Sequence, residues 1–190
     1  MNGNEIADVC EAFANAKTCY LAGCFGQELT QAVYDEKVRQ YPRNDKYGNA
    51  DKVGKGYHPF DCICMIKGIL AGARPDRYIT YADLLKNPLG DCTNEKFYNS
   101  LYDLCDVENA PRGYGLASMG HAAISLGGGF WADCNFGNGQ NGVCIHASKP
   151  TWAGRAGKIP GVAYESPEPQ TDRELLINFV TWLVDEYLAK

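Results

Sequence analysis

The hydrophobic period of this chain changes once, and that change limits what it can fold into. Up to about residue 104 the apolar residues recur at helical spacing, and beyond Asn109-Ala-Pro-Arg-Gly113 they alternate. Helices first and short strands afterwards, with no internal repeat, predict an α+β domain whose N-terminal helices pack on a small antiparallel sheet. A length of 190 residues suffices for one domain with a core that needs no metal or disulfide staple.

In the helical half, Ile6, Val9, Cys10 and Phe13 share one face of a helix over 5–16. Residues 18–27, with Gly23 and Gly26, read as a loop, and 28–40 as a second helix ended by Tyr41-Pro42. The polar stretch 43–59 has no apolar period and reads as an exposed loop of a length that is often functional. The most apolar helix candidate is Asp61–Ala71, with Asp61 as its N-cap and Gly72 to close it. Residues 81–85 and 94–104 also read as helices. In the strand half, His121–Leu126 and Phe130–Asn135 alternate on either side of Gly127-Gly-Gly129, the mark of a β-hairpin. A third strand is expected at Val143–Ala147, a long extended connection over 149–170, and a last helix from Thr171 or Asp172 to about Ala189.

Composition narrows the function classes. A net charge of −5 without a Lys/Arg block argues against nucleic acid as the main partner. The longest apolar runs, Ile63–Ala73 and Ile177–Val184, fall short of a membrane span, and Lys67 interrupts the first. The opening residues have neither the basic start nor the apolar core of a signal peptide. Nine cysteines is an odd number, with no CxxC pair among them, so at least one thiol is left over from any disulfide set. Parity does not say whether the other eight pair.

Cys62 stands in the first turn of the most apolar helix. A helix N-terminus carries partial positive charge and free N–H groups, which favour thiolate over thiol. The plain alternative is a buried structural cysteine. His121, opening a strand downstream, offers the base such a nucleophile needs. Asp133, on the return strand, is a candidate partner for that base. With a three-residue loop at Gly127–Gly129, positions 121 and 133 are diagonal neighbours on one face, about 7–8 Å apart at Cα. A two-residue loop puts Asp133 on the opposite face.

These residues together resemble the NlpC-type cell-wall peptidases, papain-like cysteine endopeptidases that include endolysins. Asp61-Cys-Ile-Cys-Met-Ile66 is similar to the family's Asp-Cys-Ser-Gly-Leu-Val, and Gly120-His-Ala-Ala-Ile-Ser-Leu-Gly127 to its His-Val-Gly-Ile-Tyr-Ile-Gly strand. The family's third polar residue falls twelve positions after the histidine, at Asp133. Tyr20-Leu-Ala-Gly23 resembles its Tyr-Val-Trp-Gly. The resemblance spans about 18–165, in order. It departs at Ile63-Cys64, where the family has Ser-Gly, at Ala22, where it has tryptophan, and at Asp133, often histidine there.

The resemblance implies a papain-like α+β fold and a peptidase that cuts peptidoglycan stem peptides at the D-glutamyl–diamino acid bond. Cys62 would be the nucleophile, His121 the base and acid, and Asp133 the orienting group. Tyr20 would serve the oxyanion, with Asp61 near the substrate; apart from the resemblance, His58 before Pro59 in a loop is another candidate base, placed to reach the groove as a substrate contact. The alternatives are cleavage of the sugar–L-alanine amide by the same triad, or an inactive binding relative. The expected extent is one catalytic domain over 1–190, with a core at 18–165, an added helix at 171–189 and no separate cell-wall-binding domain. No cofactor or metal is implied. The partner is peptidoglycan, the protein a monomer, and the working place the extracellular or cell-wall space, reached by secretion or delivery.

Rival assignments come from the residues themselves. Cys64 lies about 200° round the helix from Cys62, so only one of the two can face His121. His146, beside Cys144 on the third strand, reads as structural or at the rim. A zinc site could be drawn from Cys62, Cys64, Cys144 and His146, although the spacing is atypical.

Overall fold

The computed structural model describes residues 1–137 and 139–164. Helix α1 (Gly3–Ala14) starts in a capping box: Asn2 Oδ1 accepts from the Glu5 N–H at 2.9 Å, and Glu5 Oε2 accepts from the Asn2 N–H at 2.8 Å. It buries Ile6, Ala7, Val9, Cys10 and Phe13. Although it lies ahead of the expected core of 18–165, it packs in the same cluster as the residues around Cys64. Strand β1 (Thr18–Tyr20) follows, where a loop is expected, and runs parallel to β2 (His58–Phe60). Three-residue strands are too short to show a period. Between them lie helix α2 (Gln31–Gln40), capped by Thr30, and two 3-10 turns at Pro42–Tyr47 and Ala50–Lys52.

Helix α3 (Cys62–Leu70) is buried over every residue except the last. A helix apolar on all sides belongs inside a core. Its one charge, Lys67, is buried too, and Nζ donates to the Cys92 carbonyl at 3.1 Å. Gly68 permits the close fit: a Cβ there would stand 2.1 Å from the Phe25 carbonyl oxygen. Helices α4 (Tyr81–Leu84) and α5 (Asn94–Ser100) are short. The helix expected to reach residue 104 stops at Ser100, and Tyr102–Cys105 forms strand β3 instead.

The remaining strands are β4 (Gly115–Ala117), β5 (Ala122–Gly127), β6 (Phe130–Gly137), β7 (Gln140–His146) and β8 (Arg155–Lys158). They form one antiparallel sheet in the order β3-β8-β4-β5-β6-β7. The connection expected over 149–170 thus supplies an interior strand, β8, between β3 and β4. Arg155-Ala-Gly-Lys158 has no large apolar residue because there is no room for one: a Cβ on Gly157 would lie 2.7 Å from the Tyr102 carbonyl oxygen.

One face of the sheet meets α1 and α3. Ala122, Ile124, Ala132 and Cys134 pack there with Ile6, Phe13, Ile66 and Ile69, each large aliphatic side chain contributing about 1.5–3 kcal/mol by leaving water. The other face carries a smaller cluster of Leu116, Ala123, Trp131 and Ala156. No helix among the described residues is long and apolar enough to cross a membrane. The helix expected over 171–189 lies outside the described residues.

The β5–β6 hairpin resolves the loop-length question in an unforeseen way. Gly127 pairs with Phe130, so the turn has two residues, Gly128 and Gly129, both at positive φ as such a tight turn requires. Ser125 nevertheless pairs with Trp131, which leaves Leu126 as an extra residue on β5. This β-bulge restores the register that a three-residue loop would have given. Ile124 pairs with Ala132, so Asp133 falls opposite Ala123 and diagonal to His121.

Candidate active site

Cys62 is the first residue of α3 and 6% exposed. Asp61 caps the helix. Its Oδ1 accepts from the Cys64 N–H at 2.7 Å, and its Oδ2 from the Gly23 N–H at 2.8 Å. Both oxygens are therefore taken by backbone, and the residue expected near substrate ties the Tyr20–Gly23 loop to the start of the helix that carries Cys62.

His121 lies at the start of β5. Its Nε2 is 2.7 Å from Asp133 Oδ2, so Nδ1 is the ring nitrogen left free of the carboxylate. Burial by itself pulls His121 down, but hydrogen bonds to Asp133 and to Cys62 push it up to about 9. Asp133 is 2% exposed and has two further donors: on Oδ1 it accepts from Asn135 Nδ2 at 2.8 Å and meets His146 Nε2 at 2.9 Å. His146 is thus not a rim residue. Asp133 pairs across the strands with Cys144, so His146 is its diagonal neighbour on β7 just as His121 is on β5. That register, with Gly137 paired to Gln140 at its end, brings His146 to Asp133 only once β6 and β7 are paired.

Aromatic rings hold the two imidazoles. Trp131 stacks on His146 at 3.9 Å between centroids, and Trp152 meets His121 edge-on at 4.6 Å. These residues line a cavity of about 430 Å³ that opens beside His121 and reaches Asn135 and Gln140. The Asn94 side-chain amide sits 3.5 Å from the Cys62 Sγ and also donates to the Gly120 carbonyl at 3.0 Å. It bridges Cys62 and the residue before His121. Nothing in the local pattern of α5 marks it out.

Tyr20 is fixed through its backbone. Its N–H donates to Asn141 Oδ1 at 2.9 Å, and its carbonyl accepts from Asn49 Nδ2 at 2.7 Å. Asn44 holds Ala22 the same way, accepting from its N–H at 2.9 Å and donating to its carbonyl at 3.2 Å. Asn44 and Asn49 come from the stretch read as an exposed loop, yet both are fully buried. Burial pushes the Tyr20 phenol up, with Cys62 and Asp61 adding to the effect, so it stays a proton donor.

One expectation fails on burial. His58 is 2% exposed, with Nε2 3.0 Å from the Pro75 carbonyl and its ring stacked on Tyr78 and edge-on to Phe13. It is a core histidine, held below its ordinary value by burial, and offers no surface to a substrate. Cys64, the rival nucleophile, is no more buried than Cys62, but it packs in the main core with its thiol pushed up by burial, while Asn94 and His121 engage Cys62. The other seven thiols apart from Cys62 are also pushed up, burial leading in each case, and all nine cysteines are unpaired. The zinc grouping is not assembled: among the described residues no set of three or more His, Cys, Asp or Glu is placed to hold a metal ion.

Comparison of the chain with protein-family models, curated proteins and solved structures returned no match.

Proposed function

We propose that this chain is a papain-like cysteine peptidase of NlpC type that hydrolyses peptidoglycan stem peptides. The observation that carries the reading is one line of groups: a cysteine at the start of a buried helix, a histidine facing it, and a buried aspartate 2.7 Å behind that histidine. The resemblance of the motifs around Cys62, His121 and Tyr20 supplies the substrate class.

In this reading His121 takes the Cys62 thiol proton, and the sulfur attacks an amide carbonyl carbon. The carbonyl electrons move to oxygen, and that oxyanion receives the Tyr20 hydroxyl and the Cys62 N–H, a first-turn donor with no intrahelical partner. Collapse breaks the C–N bond. His121 passes its proton to the leaving amine and leaves a thioester on Cys62. Neutral His121 then takes a proton from water as it attacks, which releases the acid and restores the thiol–imidazole pair. Asp133 keeps the ring aligned through both steps. The bond proposed is that from D-glutamate to the diamino acid. The protein acts as a monomer in the cell-wall space, reached by secretion or delivery.

Digestion of purified muropeptides, read by mass spectrometry, tests this. Cleavage by the wild type, lost in Cys62→Ala and His121→Ala, is expected. Fragment masses separate the D-glutamyl cut from cleavage at the sugar–L-alanine amide. Undiminished cleavage by Cys62→Ala sinks the assignment. Inert muropeptides together with a Cys62 that resists iodoacetamide would mark an inactive binding relative.

A further inference from the structure

Asp133 has more partners than a Cys-His-Asp line requires. A carboxylate buried to this degree needs donors on both oxygens. His121 serves Oδ2, while Asn135 and His146 share Oδ1 at 2.8 and 2.9 Å. The strand register makes the arrangement nearly symmetrical, with one histidine diagonal to Asp133 on each flanking strand. His146 is itself held in place: Trp131 stacks on it, and the Trp131 indole N–H donates to the Ser148 carbonyl at 2.6 Å. An apolar ring would fill the same space. Only an imidazole or an amide there adds a donor to the second oxygen.

We propose that His146 is a positioning residue of the catalytic centre, acting through Asp133. It fixes the plane of the carboxylate and draws part of its charge onto Oδ1, and so limits how tightly His121 holds its proton. The inference rests on the Cys62–His121 reading of the site, but its test needs no substrate. The groups that face His121 are Cys62 from α3 and Asp133 from β6; those that face His146 are Asp133 from β6 and Cys144 from its own strand. Removing a donor from Oδ1 concentrates negative charge on the remaining contact, so His121 should bind its proton more tightly. A residue that only packed would leave that proton alone or, by loosening the Asp133 contact, release it.

The chain has three histidines, so a protein labelled with ¹⁵N-histidine gives three ring titrations, assigned by single substitutions. In His146→Phe the His121 midpoint is expected to rise by about one pH unit. His146→Gln can keep an N–H on Oδ1 and should return the midpoint to within about a third of a unit of wild type. Asn135→Ala removes the other donor and should move it the same way by less; it carries the test if His146→Phe does not fold. A midpoint that stays or falls in the donor-deleting variants, or a glutamine variant that behaves like phenylalanine, overturns the proposal. With muropeptides, kcat should drop about tenfold in His146→Phe at unchanged KM and recover in His146→Gln. A wild type inert on muropeptides would remove the peptidase reading, while the ring titrations would still decide the role of His146.

Discussion

Cys62 lies between two flanks built from different chemistry. On one, two imidazoles share the buried carboxylate of Asp133, and these two contacts carry charge or can acquire it. On the other, Tyr20 is held by the side-chain amides of Asn49 and Asn141, which do not titrate. Proton handling is thus confined to the His121 side. The Tyr20 side keeps its geometry at any pH at which the protein stays folded, which suits a donor aimed at a transient oxyanion.

The sharpest way to break this contrast is Asp133→Asn. It removes the group that raises His121, so kcat/KM should fall about 10²-fold and its alkaline limb should move below the wild-type value of about 9. A rate profile over pH 6–10 with wild-type rate and limb would take Asp133 out of the mechanism. Tyr20→Phe tests the other flank. A loss of about tenfold in kcat is expected, with the alkaline limb unmoved, and a shifted limb would show that the flanks are coupled.

Stability separates the flanks as well. Asn141→Ala removes the partner of two half-buried backbone groups and should cost about 1 kcal/mol in denaturant unfolding, by the same amount at every pH. The His121–Asp133 pair behaves differently. Because the folded state raises His121 from 6.5 to about 9, its contribution is fully present below about 6.5 and is lost as pH rises through about 9. Melting temperature should therefore decline across that window in the wild type and decline less in Asp133→Asn. Equal declines would place the pH dependence elsewhere.

The two flanks were not equally legible. Asp61 before an apolar run announced the helix that presents Cys62, and the alternation around the triple glycine announced the hairpin of His121 and Asp133. These are local signals, written within a dozen residues. Asn44, Asn49 and Asn141 look like loop polarity because the burial of the first two and the backbone partners of the third depend on what folds around them. His146 becomes part of the site only once β7 is registered against β6. The interior strand β8 hid for the opposite reason, since its small residues are set by a neighbouring backbone rather than by an apolar period. His58 misled because a histidine before proline in a polar stretch suggests a loop, whereas two rings and a carbonyl claim it for the core.

The bulge at Leu126 has a bearing on descent. A strand pair presents side chains to its faces in twos, so a single residue gained or lost within it exchanges the faces unless a bulge absorbs the change. Between His121 and Asp133 this hairpin has already used that allowance. Relatives that keep the two residues on one face should then vary in hairpin length by even steps, or carry a compensating bulge of their own. Two sequences aligned with a one-residue gap between these positions would differ in site geometry even where every residue of the site is retained.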